Sequence, residues 1–326
     1  MRRKGTIVGA QSTPEAENLL ALDIGGTKIG WAIVAANAPY QVAERGEIAT
    51  QAFDGGDVVA QRIVALAKEL VAEYPVRGVA IASAGVVDPH NGDIVFATGT
   101  MPGWGGTRLG TLITEATGLR VWAINDVHAH GLGEAVLGAG RGFTSVLACA
   151  VGTGIGGAHI SNGAIVFGDH YLAGHYGHIH HHAARHQVCS CGRTGHIESI
   201  ASGSGITAWF NARSKGEQVA NGRELQELAD NGHELAGRVF VESAYALGEV
   251  LGSLANGIDP SVVILSGSMT RSGERWWQAL REGYAASAMD FVAELDICQG
   301  ELGSDAPLLG AVLNYNTMEK KYESAN

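Results

Sequence analysis

A strand, a glycine turn and a second strand follow one another twice in this sequence, once in each half. In the first half, the apolar run 19–24 ends in two glycines, and strand-like residues resume at 28–34. In the second half, the run 145–151 leads into the glycine-rich residues 152–157, and another strand is expected from Ala158. Two strand patterns joined by a glycine turn predict a hairpin. Because the pattern occurs twice, the sequence predicts two related α/β domains.

Helical and strand-like segments alternate along the rest of the chain, which is typical of the α/β class. Helical spacing is found at residues 58–74, 107–117, from 125 onward, about 224–258, 271–288 and 307–317. Further strands are predicted at 76–82, 119–124 and 262–265. Residues 168–204 are irregular and rich in glycine, histidine and cysteine, and they form too long a segment for a passive loop.

Composition excludes several classes of protein. The 326 residues suffice for about two domains, and a hydrophobic content of 46% excludes global disorder. The net charge of −11 argues against a nucleic-acid partner, and the absence of a long apolar run argues against a membrane span. Four cysteines are too few for a disulfide scaffold and indicate a reducing, cytoplasmic compartment.

The first glycine turn has the chemistry of a phosphate site. Gly25 and Gly26 let the backbone approach an anion closely, and Thr27 adds a hydroxyl and an N–H group. Asp23, at the end of the preceding strand, is a candidate Mg²⁺ ligand. The turn is not a P-loop, since the spacing of that motif is absent. An ordinary hairpin turn is the alternative interpretation.

The second glycine run, residues 152–157, matches the loose dinucleotide fingerprint Gly-x-Gly-x-x-Gly. That fingerprint requires a helix after it, whereas strand and turn residues follow here. A second phosphate-binding hairpin therefore fits better. Two such turns in two domains predict a nucleotide held across a cleft.

Asn125 and Asp126 come directly after a predicted strand. Both residue types are favoured as helix caps, which is one interpretation. In a cleft, Asp126 is instead a candidate general base that takes a proton from a substrate hydroxyl.

Eight of the 13 histidines lie between residues 170 and 196, beside two cysteines. The spacing His-x10-Cys-x-Cys-x4-His, formed by His178, Cys189, Cys191 and His196, suits tetrahedral zinc. The fourth ligand is left open at this point, because further histidines compete for it, namely His180, His181, His182 and His186. Four protein ligands would make the zinc structural. Cys149 and Cys298 are interpreted as core residues.

Taken together, these motifs resemble the ROK family of sugar kinases and repressors, over about residues 19–313. The resemblance rests on the Asp-Ile-Gly-Gly-Thr-Lys run at 23–28, on Asn125-Asp126, on the glycine run 152–157 and on the segment from Gly177 to Glu198. It implies an actin-like (ribonuclease H-like) α/β fold of two domains, with an interdomain cleft and a structural zinc loop. It also implies ATP and Mg²⁺ as cofactors, phosphorylation of a hexose at its 6-hydroxyl, and a homodimer.

The expected division is a tail at residues 1–18, a small domain at 19–124 and a large domain at 125–306 that contains the zinc loop 168–204. A C-terminal helix at about 307–326 is expected to pack back on the small domain. A repressor is disfavoured, since only 22 residues precede Asp23 and they contain no two-helix pattern.

The resemblance also gives a role to each matching residue. It makes Asp126 the catalytic base and His178 a residue that both ligates zinc and contacts the sugar. The expected sugar-binding positions are Ser83, Gly85, Thr100, Asn125, Asp126, His175, His178 and Glu198. The expected ATP- and Mg²⁺-binding positions are Asp23, Gly25, Gly26, Thr27, Lys28, Gly152, Thr153, Gly154, Gly156 and Gly267. The expected zinc ligands are His178, Cys189, Cys191 and His196.

Position 175 separates the substrates that the resemblance allows. Most of the family has Glu-x-Gly-His where this chain has His175-Tyr-Gly-His178. A histidine there resembles the bacterial N-acetylmannosamine kinases, whereas a glucokinase is expected to use the glutamate to accept vicinal hydroxyls. We therefore expect phosphorylation of N-acetylmannosamine, with glucose and N-acetylglucosamine as alternatives. His196 in place of the family's third cysteine, Thr100 in place of an asparagine, and Ser268 in place of a second glycine are further departures.

Overall fold

The computed structural model describes residues 17–325, which form two five-stranded sheets and ten α-helices. The strands are β1 Asn18–Ile24, β2 Lys28–Ala35, β3 Val42–Ala49, β4 Val76–Ser83, β5 Val86–Val87, β6 Ile94–Phe96, β7 Arg120–Asn125, β8 Ser145–Val151, β9 Ile155–Ser161, β10 Ala164–Ile165, β11 Val262–Ser266 and β12 Ile297–Gln299. The helices are α1 Gly56–Glu73, α2 Leu109–Thr117, α3 Asp126–Leu137, α4 Glu198–Ala201, α5 Gly203–Arg213, α6 Gly222–Asp230, α7 Glu234–Ile258, α8 Glu274–Ser287, α9 Asp290–Ala293 and α10 Ala306–Ala325.

The two large sheets have the same topology. Their strand orders are β3-β2-β1-β4-β7 and β10-β9-β8-β11-β12. In each sheet a hairpin of antiparallel strands is extended on one side by parallel strands, with β1 beside β4 and β8 beside β11. The predicted repeat of a strand, a glycine turn and a strand therefore corresponds to the first hairpin of each sheet.

The central strands are covered by helices on both faces. Leu20 and Leu22 of β1 pack toward α1 and α2, whereas Leu19 and Ala21 pack toward α3 and α10. This explains why β1 is an uninterrupted apolar run rather than an alternating one. Helix α1 covers the sheet with apolar residues at helical spacing, and it ends before Pro75.

Helix α3 packs against both sheets. Its Ala129 belongs to the core of the first sheet, and Leu132 belongs to the core of the second. Helix α10 crosses α3 so closely that a Cβ atom at Gly310 would lie 1.8 Å from the Ala129 carbonyl oxygen. The N-terminus of α3, which carries Asp126, is therefore held where the two sheets meet.

Several predicted boundaries were wrong. Strand β9 begins at Ile155 rather than Ala158, because Ile155 and Gly156 already pair with β8. Helix α2 begins at Leu109 rather than Thr107, since the Thr107 carbonyl accepts the N–H of Ile94. The segment 224–258 is divided into α6 and α7 at Gly232, whose φ is +86°, and α8 begins at Glu274 rather than 271.

The predicted C-terminal helix is present as α10, which contacts β1, β4 and β7 of the first sheet as well as α3. The division into domains at residue 124 stays a prediction, and most of the predicted tail 1–18 lies outside the described residues. Between residues 17 and 325, no helix is long and apolar enough to cross a membrane.

Candidate functional site

The first glycine turn joins β1 to β2 and is stabilised by the side chain of one threonine. The Thr50 hydroxyl donates to the Gly25 carbonyl at 2.6 Å, and the Gly25 N–H donates to the Lys28 carbonyl at 3.0 Å. Gly26 and Thr27 are exposed. The ammonium group of Lys28 pairs with Glu47 at 2.7 Å on the surface. The turn thus presents backbone and the Thr27 hydroxyl outward.

Asp23 precedes this turn at the edge where β1, β4 and β7 end. Burial and the nearby charge of Asp126 raise the pKa of Asp23 to about 7, and Lys28 opposes this shift. Two carboxylates whose charges repel in a partly buried position provide the oxygen donors that a divalent cation prefers. The donor chemistry therefore fits Mg²⁺, with Asp23 as its candidate ligand.

The second glycine turn, between β8 and β9, is shorter than predicted. Thr153 and Gly154 are exposed, and the Gly152 N–H donates to the Gly154 carbonyl at 2.9 Å. Gly156 lies in the strand instead, where a Cβ atom would be 3.0 Å from the Val127 side chain. Gly156 therefore allows β9 to approach α3, and the exposed part of the turn is Thr153 and Gly154. Gly267, with φ +95°, lies against the backbone of Val151 at the end of the adjacent strand.

Asn125 is the N-cap of α3, and it also orients Asp126. Its side-chain oxygen accepts the N–H groups of Val127 and His128, at 3.1 and 3.2 Å. Its amide nitrogen donates to the Gly85 carbonyl and to Asp126 Oδ1, both at 2.8 Å. These four bonds use both donors and both lone pairs of the amide. Both interpretations of the Asn125-Asp126 pair are thus compatible, with Asn125 as the cap.

Asp126 is the carboxylate that Asn125 holds in place. Its Oδ1 accepts two hydrogen bonds, from Asn125 and from the Val127 N–H at 2.9 Å. Burial raises the pKa of this carboxyl group, although the hydrogen bonds oppose the shift. Neither of these two bonds uses Oδ2, which is therefore the candidate atom for a substrate hydroxyl.

The residues expected to bind sugar from the first sheet differ in exposure. Ser83 is fully buried, and its hydroxyl is bonded to the Ala84 carbonyl and to Trp104. A contact from this segment would therefore come from its backbone, at Gly85, where φ is +96°. Thr100 is exposed, and its carbonyl approaches the first glycine turn at Gly26.

The four expected zinc ligands come together. Their nitrogen and sulfur atoms all lie within 4.8 Å of one another. The Cys189 Sγ is 3.4 Å from His178 Nδ1, and the Cys191 Sγ is 3.3 Å from His196 Nδ1. Such separations fit a tetrahedral ion with bonds of about 2.0–2.3 Å. The competing histidines lie outside this group, so the geometry favours His196 as the fourth ligand.

A second cluster, of His181, His182 and Glu249, is less suited to a metal. The Nε2 of His181 contacts Glu249 at 3.1 Å, and its Nδ1 accepts the N–H of Ala183 at 3.3 Å. Both ring nitrogens are therefore used in hydrogen bonds, with no lone pair left for an ion.

His175 lies beside the zinc group as a neutral acceptor. Its ring stacks on His178 at a centroid separation of 6.1 Å. Nδ1 is 3.0 Å from the Leu172 carbonyl, which can only accept, so Nδ1 carries the proton. Burial lowers the pKa of His175, and the ring remains neutral with Nε2 as an acceptor.

Glu198 connects the zinc loop to the second glycine turn. Its Oε1 accepts the Ser190 hydroxyl at 2.5 Å, and its Oε2 accepts the Ile155 N–H at 2.9 Å. Neither Ser190 nor the buried His128, which contacts residue 173, was predicted from the sequence. The only available signal was their position beside a candidate ligand or base.

The chain is similar to known proteins over most of its length. A model of the ROK family matches residues 19–317. A glucokinase from Halalkalibacterium halodurans is 29% identical over 330 residues, which cover 94% of this chain and 97% of the relative. An N-acetylmannosamine kinase from Shigella boydii is 32% identical over 310 residues, which cover 90% of this chain and 97% of the relative.

A solved structure supports the expected fold. A ROK family glucokinase from Streptomyces griseus, in complex with glucose and AMPPNP, is 26% identical and has a TM-score of 0.75. The similarity covers 90% of this chain and 98% of that one. The predicted actin-like α/β fold is therefore confirmed.

Proposed function

This chain belongs to the ROK family, and from that premise and its site geometry we propose that it phosphorylates the 6-hydroxyl of N-acetylmannosamine with ATP. The type of reaction, ATP-dependent phosphorylation of a sugar, is that of the kinases to which the chain is similar. The substrate is inferred from this chain's own residues.

Asp126 is the general base in this proposal. Oδ1 is fixed by Asn125 and the Val127 N–H, so Oδ2 accepts the proton of the sugar hydroxyl as its oxygen attacks the γ-phosphate. The raised pKa makes the carboxylate a stronger base than an exposed aspartate. Phosphoryl transfer otherwise depends mainly on positioning and charge neutralisation.

The two glycine turns hold the phosphates. Exposed backbone at Gly26 and Thr27 and at Thr153 and Gly154 supplies N–H donors from both hairpins. Asp23 would hold Mg²⁺, which would supply neutralisation of the phosphate charge when bound.

The zinc loop positions the sugar-binding side. Zinc supplies rigidity when bound, because four protein donors leave no open coordination position. Ligation fixes the ring of His178, and Glu198 lies close to the same cysteines. Both side chains are thereby directed at the sugar.

The observation that carries the choice of sugar is the neutral imidazole at position 175. Its Nε2 is a single uncharged acceptor, where a glutamate would offer two anionic oxygens to vicinal hydroxyls. Glucose is the second candidate, favoured by the 29% identical glucokinase, and N-acetylglucosamine is a third. A reducing, cytoplasmic compartment, which the low cysteine content of the sequence predicts, suits thiolate ligands for zinc. The homodimer stays a prediction.

Steady-state kinetics with ATP and each of the three sugars tests the proposal. We expect the highest kcat/KM for N-acetylmannosamine and a 6-phosphate product by ³¹P NMR. A higher kcat/KM for glucose would replace the proposed substrate while leaving the reaction unchanged. Phosphorylation of none of the three sugars would contradict the proposal itself.

A further inference from the structure

A buried histidine two residues after the candidate base bonds to the segment that carries His175. His128 lies in the first turn of α3 and is 1% exposed. Its Nε2 is 2.5 Å from the carbonyl oxygen of Ala173. Because a carbonyl can only accept, Nε2 is the donor in this bond. The ring is neutral, since burial lowers the pKa of His128 to about 4.

The segment that His128 contacts is also held by hydrogen bonds of its own backbone: the Ala173 N–H donates to the Phe167 carbonyl, and the His175 N–H donates to the Leu172 carbonyl, both at 3.2 Å. The Gly174 carbonyl accepts the N–H groups of Gly157 and Tyr176, both at 2.7 Å. The φ of Gly174 is +97°, and a Cβ atom there would be 2.1 Å from the Gly157 carbonyl and 3.3 Å from His128 Nε2. The flanking residue Leu172 is exposed. The bond from His128 connects the segment to α3, and the bond from Gly157 connects it to β9.

The ring of His128 is itself held in place. Phe167 packs against it edge to face, with centroids 5.4 Å apart. The backbone N–H of His128 is bonded to the Asn125 cap, the same side chain that orients Asp126. One cap therefore fixes both the base and the donor that reaches the Ala173 carbonyl.

We propose that His128 is a positioning residue for sugar recognition, because its Nε2–H bond to Ala173 sets the distance between Asp126 and His175. The inference rests on the proposed function only in the identity of the sugar. The structural contact can be tested without it. Loss of the bond is expected to loosen residues 172–175 and to weaken sugar binding, with little effect on ATP.

Four variants of the zinc-loaded full chain test this proposal. His128→Leu removes the donor. His128→Gln keeps an N–H at about the reach of Nε2, and His128→Asn is too short to reach. His130→Leu is the matched control, because His130 is on the same helix, is largely buried, and has no hydrogen-bond partner for Nε2 among the described residues.

Two readouts are compared. Amide hydrogen exchange over residues 168–178 should rise by about fivefold in His128→Leu and His128→Asn, the factor that corresponds to the loss of a bond worth about 1 kcal/mol. In the same two variants, the KM for the sugar should rise by a similar factor, while kcat and the KM for ATP stay close to wild type. His128→Gln should restore both values, and His130→Leu should change neither.

Wild-type exchange in both His128→Leu and His128→Asn would overturn the proposal. An equal rise in His130→Leu would also overturn it, since the effect would then be general damage to α3. If His128→Leu does not fold, the Gln and Asn variants decide the question by themselves. Failure of the wild type to phosphorylate N-acetylmannosamine would reject the proposed substrate but would not affect the exchange result.

Discussion

At the scale of single residues, the proposed chemistry depends most on Asp126. We expect Asp126→Asn to lower kcat by about 10²- to 10⁴-fold, because an amide cannot accept the hydroxyl proton. The KM for the sugar should change little, since the Asn125 cap and the start of α3 remain. Asp169→Asn, in an exposed loop, is the control and should leave kcat unchanged. A kcat close to wild type in Asp126→Asn would remove Asp126 from the role of base.

His175 gives a second prediction at this scale. His175→Glu replaces one neutral acceptor by two anionic oxygens beside His178. We expect kcat/KM for glucose relative to N-acetylmannosamine to rise by at least about tenfold, the size of effect that a single polar contact produces. His170→Glu, an exposed histidine of the same segment, should leave this ratio at the wild-type value. An unchanged ratio in His175→Glu would assign sugar selection to other residues.

At this scale the candidate site residues could be predicted from the sequence, but not all of their hydrogen-bond partners. Asn125 and Asp126 could be placed at a helix start, because both residue types cap helices and follow an apolar strand. Asn125 uses all of its hydrogen-bonding capacity only because it also reaches the Gly85 carbonyl, which is 40 residues away in sequence. Such a contact follows from the pairing of β4 with β7, which no local pattern reveals.

At the scale of elements, the zinc loop supports a metal-removal prediction. Cys189→Ser should bind well under one zinc per chain, and the KM for the sugar should rise because His178 and Glu198 lose their orientation. Zinc content by atomic absorption and sugar kinetics measure the two effects. Cys298→Ser, on β12, is the control and should retain both zinc and activity. Full activity in a metal-free chain would contradict the structural role.

Elements with strong local patterns were predicted, and those that depend on neighbours were not. Helix α1 follows from its apolar spacing and Pro75. Strand β3 is mostly exposed, with the sequence Val-Ala-Glu-Arg-Gly-Glu-Ile-Ala, and it forms because β2 offers it an edge. The start of β9 was missed because Gly156 and Gly157 resemble a turn in sequence. In the fold, these glycines let Val127 and Tyr176 pack closely.

At the scale of the whole molecule, the repeated hairpin was the part of the architecture that the sequence predicted. Both sheets begin with it, and their strand orders correspond throughout. The crossing of α3 and α10 was not predictable, because Gly133 and Gly310 have no local turn pattern. Each of these glycines instead removes a Cβ atom that would collide with the other helix. Part of the high glycine content is therefore explained by close helix packing rather than by turns.

The global stability of the chain should depend on pH through His128. Its pKa is about 4 in the folded chain and about 6.5 when unfolded. Above neutral pH the ring is uncharged in both states and contributes no pH dependence. As the pH falls below 6.5, the ring of His128 is protonated in the unfolded state but stays neutral in the folded state. The free energy of unfolding therefore decreases. Between pH 7.5 and pH 5 this group alone should remove about 2 kcal/mol.

Urea unfolding of the zinc-loaded chain at these two pH values measures the effect, with His128→Gln as the comparison. The other ionisable groups titrate in both proteins, so the difference between them isolates residue 128. On acidification, the free energy of unfolding of His128→Gln should decrease by about 2 kcal/mol less than that of the wild type. Equal decreases in the free energy of unfolding of the two proteins would mean that His128 is protonated in the folded chain. The bond to Ala173 would not be affected by that proton, because Nε2 is already its donor. Phe167, which packs on the ring, and the nearby ring of His175 would instead lie beside a new buried charge.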